Sequence, residues 1–398
     1  MRLGLPSSAV VLGLSLFLSS ASYGVMTPLL PDIRDDLGVS TTIAGLIVGS
    51  YGLARLVVDL PIGPIANRVH TRNLATGAFA LQMVASVMGL FATSVGHLVA
   101  SRLIAGASGA VIISIVLTRL SILADDPSRR GRVMSVFQIS NGSAAALHPL
   151  MGGIVASALG WRAAFLIPLV ASGVAALLIR RVLGSSIRAT PPGAPPTLLP
   201  DRVEEPSAPS FPSKAVLFAL IAGVVAFNMH RHGITNTVLP LRASELGLDT
   251  VAISTGFAVI AGTGLLVAVP GALLGDRFGR RRIVFAGLLL AGVADVALLG
   301  VQSYPLFLVL CLAMGAADFF SSSQTAMLGD LTSVRHRALV LGIYRFAVDL
   351  GAFIGPLVLA LLLDARGLEA AILLSSSALI GSAALVRTLY PRPSRRTI

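Results

Sequence analysis

The feature that most constrains this chain is an apolar run of membrane length that keeps returning. Residues 97–120, "HLVASRLIAGASGAVIISIVLTRL", hold Arg102 and Arg119 as their only full charges. A helix needs about 20 apolar residues to cross the hydrocarbon layer, and a water-soluble core has no use for so many in succession. Segments of that kind recur at 8–31, 41–64, 73–95, 97–120, 133–157, 160–179, 215–240, 251–274, 283–302, 304–328, 338–363 and 367–388. Each is read as a transmembrane helix, so the expected fold is an all-α integral membrane protein with twelve spans. A mean hydropathy of +0.86 and a hydrophobic share of 55% agree. The first segment is too long for a signal peptide and ends at Pro28 and Pro31 without an A-x-A-like cleavage site, so it counts as span 1. The single cysteine, Cys311, has no partner for an intramolecular disulfide or a Cys-based metal site.

A net charge of +12 would suggest nucleic acid in a soluble protein; here it reports topology. Lys and Arg crowd the two chain ends and the loops after even-numbered spans, as in Arg129, Arg130 and Arg132. The alternate loops hold only Arg34, Arg162, Arg242 and Arg366. The positive-inside rule then places both termini in the cytoplasm, and anionic headgroups account for the excess charge without nucleic acid. One long polar stretch, rich in proline, interrupts the spans and reads as an extended linker. It divides the chain into a six-helix bundle at 1–181, a cytoplasmic linker at 182–213 and a second six-helix bundle at 214–398. Laying Pro31 on Pro240 and Gly24 on Gly233 also sets "GPIANRVHTR" (63–72) on "ALLGDRFGRR" (272–281), which points to a duplication. Parallel repeats of this kind are a transporter architecture, with the substrate site between the halves near the bilayer midplane.

Several short motifs fall in order along the spans. "ALLGDRFGRR" resembles the G-x-L-a-D-R-x-G-R-R signature of the major facilitator superfamily, with Ala272 at the leading glycine. "RLIAGASGA" (102–110) resembles its fourth-helix motif R-x-x-Q-G-x-G-A-A, with Ala105 at the glutamine. "AAALHPLMGG" (144–153) resembles the fifth-helix motif of exporters, with Ala144 and His148 at two of its glycines, and "GAFIGPLVLA" (351–360) echoes it in span 11. "GVMTPLLPDI" resembles the first-helix ending of drug:proton antiporters. The chain is thus similar, over essentially its whole length, to a twelve-helix major facilitator transporter of the drug:proton antiporter type. That resemblance implies alternating access between two bundles. It puts the motif at Asp276, Arg277, Gly279 and Arg280 at an inner gate, and gives Arg102 a role in proton transfer. The first-half copy, with Gly63, Asn67, Arg68 and Arg72, has Asn67 at the acid and His70 at the turn glycine. Asn keeps hydrogen bonding but loses its charge-assisted component, so a weaker inner gate is expected there.

Ionisable residues inside spans cost about 2.5 to 3.5 kcal/mol each on insertion scales, which marks them as functional candidates. Arg55 and Asp59 stand at i and i+4 in span 2, and Arg345 and Asp349 repeat the arrangement in span 11, so each pair is expected to close on its own helix. Arg102 is expected within snorkelling reach of the outer interface. With Asp318 these residues form the proton-coupling candidates, and Asp295 is the odd acid of span 9. Near the middle of span 7, Asn228, His230, Arg231 and His232 form the leading substrate cluster. Tyr23, Met26, Gln138, Asn141 and His148 complete the cavity candidates. His230, His232 and His148 titrate near neutral pH and are eligible proton carriers.

No P-loop, G-x-S-x-G or H-E-x-x-H motif is present, so no enzyme, cofactor or metal is expected. The leading expectation is a monomeric, proton-coupled exporter of small amphipathic or drug-like compounds. The alternatives are an importer or facilitator of a small anionic solute using Arg231, and a non-transporting receptor on the same scaffold. Among the 30 basic residues only Lys214 is lysine, which suggests a GC-rich genome and a bacterial inner membrane.

Overall fold

A computed structural model of the protein describes residues 6–59, 69–124, 127–183, 213–330, 332 and 336–390. Its twelve long helices are α1 (Ser7–Leu37, with a tighter turn at Thr27–Leu29), α2 (Thr41–Asp59), α3 (Thr71–Leu90), α4 (Val95–Leu123), α5 (Pro127–Leu159), α6 (Trp161–Val182), α7 (Lys214–Glu245), α8 (Thr250–Phe278), α9 (Arg280–Gly300), α10 (Tyr304–Asp330), α11 (Arg337–Arg366) and α12 (Leu368–Leu389). Each expected span has its helix. Most run a few residues past the apolar limits, because polar ends continue the same hydrogen-bond ladder toward water. Helix starts carry side-chain caps where the sequence supplies them: Ser94, Ser213 and Asp249 accept from the backbone N–H groups of His97, Val216 and Ala252. Most of the linker, 184–212, lies outside the described residues.

Helices α1–α6 pack on one another, and so do α7–α12. Each half has its own apolar core, one including Leu12, Leu16, Phe79 and Ile112 and the other Phe227, Val284, Leu288 and Leu379. The halves meet along α2 with α11 and α5 with α8, two seams that exchange under the duplication, and at the ends of α1 and α7. The α2–α11 seam is held by small residues. A Cβ at Gly45 would lie 2.5 Å from the Pro356 carbonyl oxygen, and one at Gly49 2.8 Å from that of Phe353. Glycine at these sites lets two backbones touch, the main means of helix association where lipid removes the hydrophobic drive.

The even number of spans puts both termini and the linker ends on one face, the linker face; the opposite face is the far face. Cross-bundle bonds gather at the far face. Asp364 of α11 accepts from the backbone N–H of Thr41 (3.3 Å) and of Thr42 (2.6 Å) at the start of α2, and from the Thr42 hydroxyl at 2.6 Å. The start of α8 is tied in the same sense, Thr250 Oγ1 donating to Asp32 of α1 at 2.9 Å. Between them Leu241 of α7 is buried in the first bundle's core beside Leu29 and Leu30. In this conformation the far face is sealed.

Candidate functional site between the bundles

On the linker-face side of the α2–α11 seam, Arg55, Asp59, Arg345 and Asp349 meet as a quartet. The expected pairing within each helix is replaced by a crossed one: Arg55 Nε lies 2.9 Å from Asp349 Oδ1, and Arg345 Nε 3.8 Å from Asp59 Oδ2. The glycine contact above them explains the correction, because it brings each acid closer to the arginine across the seam than an exposed i, i+4 neighbour would be. Asp349 is 3% exposed and Arg55 19%, so that pair is largely buried and losing one partner leaves a poorly compensated charge, whereas Arg345 of the other pair is 37% exposed. Neither oxygen of Asp59 has a hydrogen-bond partner. Among the described residues the α5–α8 seam shows no crossed set of this kind at the corresponding positions. Its counterparts under the duplication are Gly264 and Ala268 on α8 and Gln138 and Gly142 on α5, with Leu265 packed over Gly142. Gln138 and Asn141 are exposed.

In the middle of α7 the backbone widens into a π-helical segment, His230–Val238, in which the Thr237 hydroxyl donates to the His232 carbonyl at 2.9 Å. Such segments redirect consecutive side chains and recur at functional sites. Here three neighbours go three ways. His230 is 2% exposed and points into its own bundle, its Nδ1 2.6 Å from Asp295 of α9, whose other oxygen accepts from Ser375 of α12 at 2.6 Å. Arg231 faces the space between the bundles and meets Asp318 of α10 at 3.2 Å through Nη1. His232 crosses to the first bundle, where the Tyr23 hydroxyl lies 2.7 Å from its Nδ1. Asn236 donates to the same hydroxyl at 2.6 Å. The Tyr23 hydroxyl is thus shared by Asn236 and His232, and the direction of its bond to Nδ1 follows the imidazole tautomer.

Arg102 does not reach the interface. It is 1% exposed, donates through Nη1 to the Ser22 carbonyl at 2.5 Å, and lies 4.9 Å from the Tyr51 ring centroid and 5.7 Å from that of Tyr23. The two rings, 4.8 Å apart, supply the cation–π environment that replaces water. Gly106 and Gly109 on α4 let Tyr51 approach that closely. Other candidates sit apart from this centre. Met26 is buried in the first bundle's core, His148 packs on Phe17 with ring centroids 4.6 Å apart, and Asn228 donates to the Val224 carbonyl at the α7–α11 contact.

At the linker face α8 ends at Phe278 and Gly279 takes φ +88°, a left-handed conformation that favours glycine. The turn reverses the chain into α9, and Arg280 comes 3.5 Å from Asp276. Arg277 lies over the Phe278 ring. Arg72 is half-buried beside Thr71, which accepts from Arg119; Gly63, Asn67 and Arg68 lie outside the described residues. Sequence reasoning overlooked Ser375, Asn236, Asp364 and Thr250. For Ser375 a signal existed: a lone acid in span 9 has to find donors inside its bundle.

The model of the Major Facilitator Superfamily matches residues 12–264 and again 221–397. Among curated proteins, the chain is 27% identical over 361 residues to a chloramphenicol resistance protein of Streptomyces lividans, covering 89% of each chain. It is 23% identical over 374 residues to a methylenomycin A resistance protein of Streptomyces coelicolor, covering 81% of this chain and 78% of the relative. Among solved structures, the fold matches a bacterial homologue of the human lysosomal transporter Spinster, in an inward-facing and occupied conformation. The TM-score is 0.77, with 15% identity and 95% of each chain covered.

Proposed function

This chain belongs to the major facilitator superfamily and is a multi-pass membrane transporter, and on that premise we propose that it exports small amphipathic compounds in exchange for protons. Both termini would lie in the cytoplasm and the protein in a bacterial plasma membrane. The resistance proteins among its relatives favour efflux, and the basic bias of the linker-face loops favours that orientation.

The observation that carries the coupling is the crossed quartet. Proton-linked transport needs a group whose charge change alters a contact between the bundles, so that one equilibrium is biased by both proton and substrate. Asp59 fits that need. It is 12% exposed, faces Asp349 across the seam, has no hydrogen-bond donor among the described residues, and has as its ion-pair partner Arg345 at 3.8 Å. A proton on Asp59 removes that attraction and loosens the seam on the linker-face side. Substrate enters between Tyr23, Arg231 and His232, where the widened turn of α7 presents its polar groups. Alternation then proceeds by opening the bundles at one face while the other closes.

A second reading, a facilitator or importer of a small anion, draws on Arg231, whose side chain is 40% exposed. Reconstituted protein separates the two. With a pH gradient imposed across proteoliposomes, efflux of a transported probe should rise severalfold over the flux without a gradient, and Asp59→Asn should abolish that increment while leaving downhill flux. Flux indifferent to the gradient in the wild-type protein sinks the coupling and leaves the facilitator.

A further inference from the structure

We infer that the space between the bundles rejects lipophilic cations and accepts neutral or anionic amphipaths, a substrate class that rests on the transporter reading above and narrows it. The basis is a charge census at mid-depth. Among the described residues, every carboxylate from there to the quartet already has a basic partner: Asp349 has Arg55 at 2.9 Å, Asp318 has Arg231 at 3.2 Å, Asp59 has Arg345 at 3.8 Å and Asp295 has His230 at 2.6 Å. One cation remains over. Arg102 has no carboxylate within ion-pair distance and is 1% exposed.

A membrane cavity binds a hydrophobic cation through an unpaired acid or through an open aromatic face. Around the widened turn of α7 both means are already engaged among the described residues. The acids are matched by the basic residues above, and the rings of Tyr23 and Tyr51 are turned to the guanidinium of Arg102. A proton taken up by the quartet makes the region more positive still. An anion or a neutral dipole faces no such opposition, and the half-exposed Arg231 fork, committed to Asp318 through Nη1 alone, retains donors to offer it. Exclusion by like charge in a poorly screened site is the repulsive half of specificity.

Tetraphenylphosphonium and tetraphenylborate, one shape with opposite charges, test this by equilibrium dialysis against the full chain in nanodiscs, with empty nanodiscs subtracted. The wild-type protein should hold the borate at least about tenfold more tightly, the lower end of what like charge costs. Arg231→Gln removes a positive charge from the cavity and should tighten phosphonium binding by about tenfold or more, whereas Arg231→Lys should behave as wild type. Asp318→Asn, which frees Arg231 and covers the case in which Arg231→Gln fails to fold, should tighten the borate instead. Wild-type preference for the phosphonium overturns the inference, as does failure of the folded variants to move the ratio, including absence of saturable phosphonium binding in folded Arg231→Gln. Dialysis needs no gradient, so loss of proton coupling in the flux assay would sink the exporter reading and leave this one standing.

Discussion

At the scale of residues, the informative group is His230–Asp295–Ser375, a hydrogen-bonded contact wholly inside the second bundle. Its members are at most 2% exposed, so neither polar side chain has water to fall back on. Breaking a buried pair from one side is expensive, and Asp295→Asn should lower stability by about 3–5 kcal/mol. Unfolding of the detergent-solubilised protein would measure that. The double variant with His230→Gln should lose less than the sum of the two single losses, as residues sharing one contact do. The sequence made Asp295 visible as an anomaly, a carboxylate in an otherwise apolar span. It could not make His230 its partner, because His230, Arg231 and His232 are adjacent in the chain and read as one polar cluster. Only the widened turn sends the first of them inward and the other two outward.

At the scale of elements, the α2–α11 seam joins packing to charge. At Gly52 an added Cβ would come within 2.8 Å of the α11 backbone at Ala352 and 2.9 Å at Phe353. Backbone cannot rotate aside as a side chain does. Gly52→Val should therefore push the helices apart, lengthen the Arg55–Asp349 contact and reduce transport by about tenfold or more, the scale of a 1–2 kcal/mol shift or larger. Spin labels on α2 and α11 would register the separation. Gly77→Ala is the control, with nothing within 4 Å of the added methyl, and should transport normally. The twelve helices were legible because bilayer thickness dictates the length of an apolar run. Pairing was less so. A spacing of i, i+4 is a property of one helix, and the crossing depends on how near a second helix is allowed to come.

At the scale of the whole molecule, the far-face bonds hold one end of the bundles together. Asp364 caps α2 from the opposite half, doing for a helix start what a local Ser or Asp usually does. Asp364→Ala should cost the sealed state about 1 kcal/mol, a several-fold shift toward a far-face-open population. Distance labels near Thr41 and Asp364 would show that shift as a longer component, and an unchanged distribution would mean the cap bears no share of closure. The capping acid escaped notice in the sequence because it lies at a span end, where acids are unremarkable, and its partner helix is far away in the chain.

The inequality of the two seams bears on how such a molecule moves. Where α5 meets α8 the described contacts are of glycine with leucine and serine, Gly142 against Leu265 and Gly153 against Ser254, and these can slide without separating charges. Across the molecule, α2 and α11 must break both crossed ion pairs to open. A duplicated chain with one greased edge and one clasped edge would meet its resistance to opening chiefly on one side, the charged edge acting as the latch while the apolar edge glides.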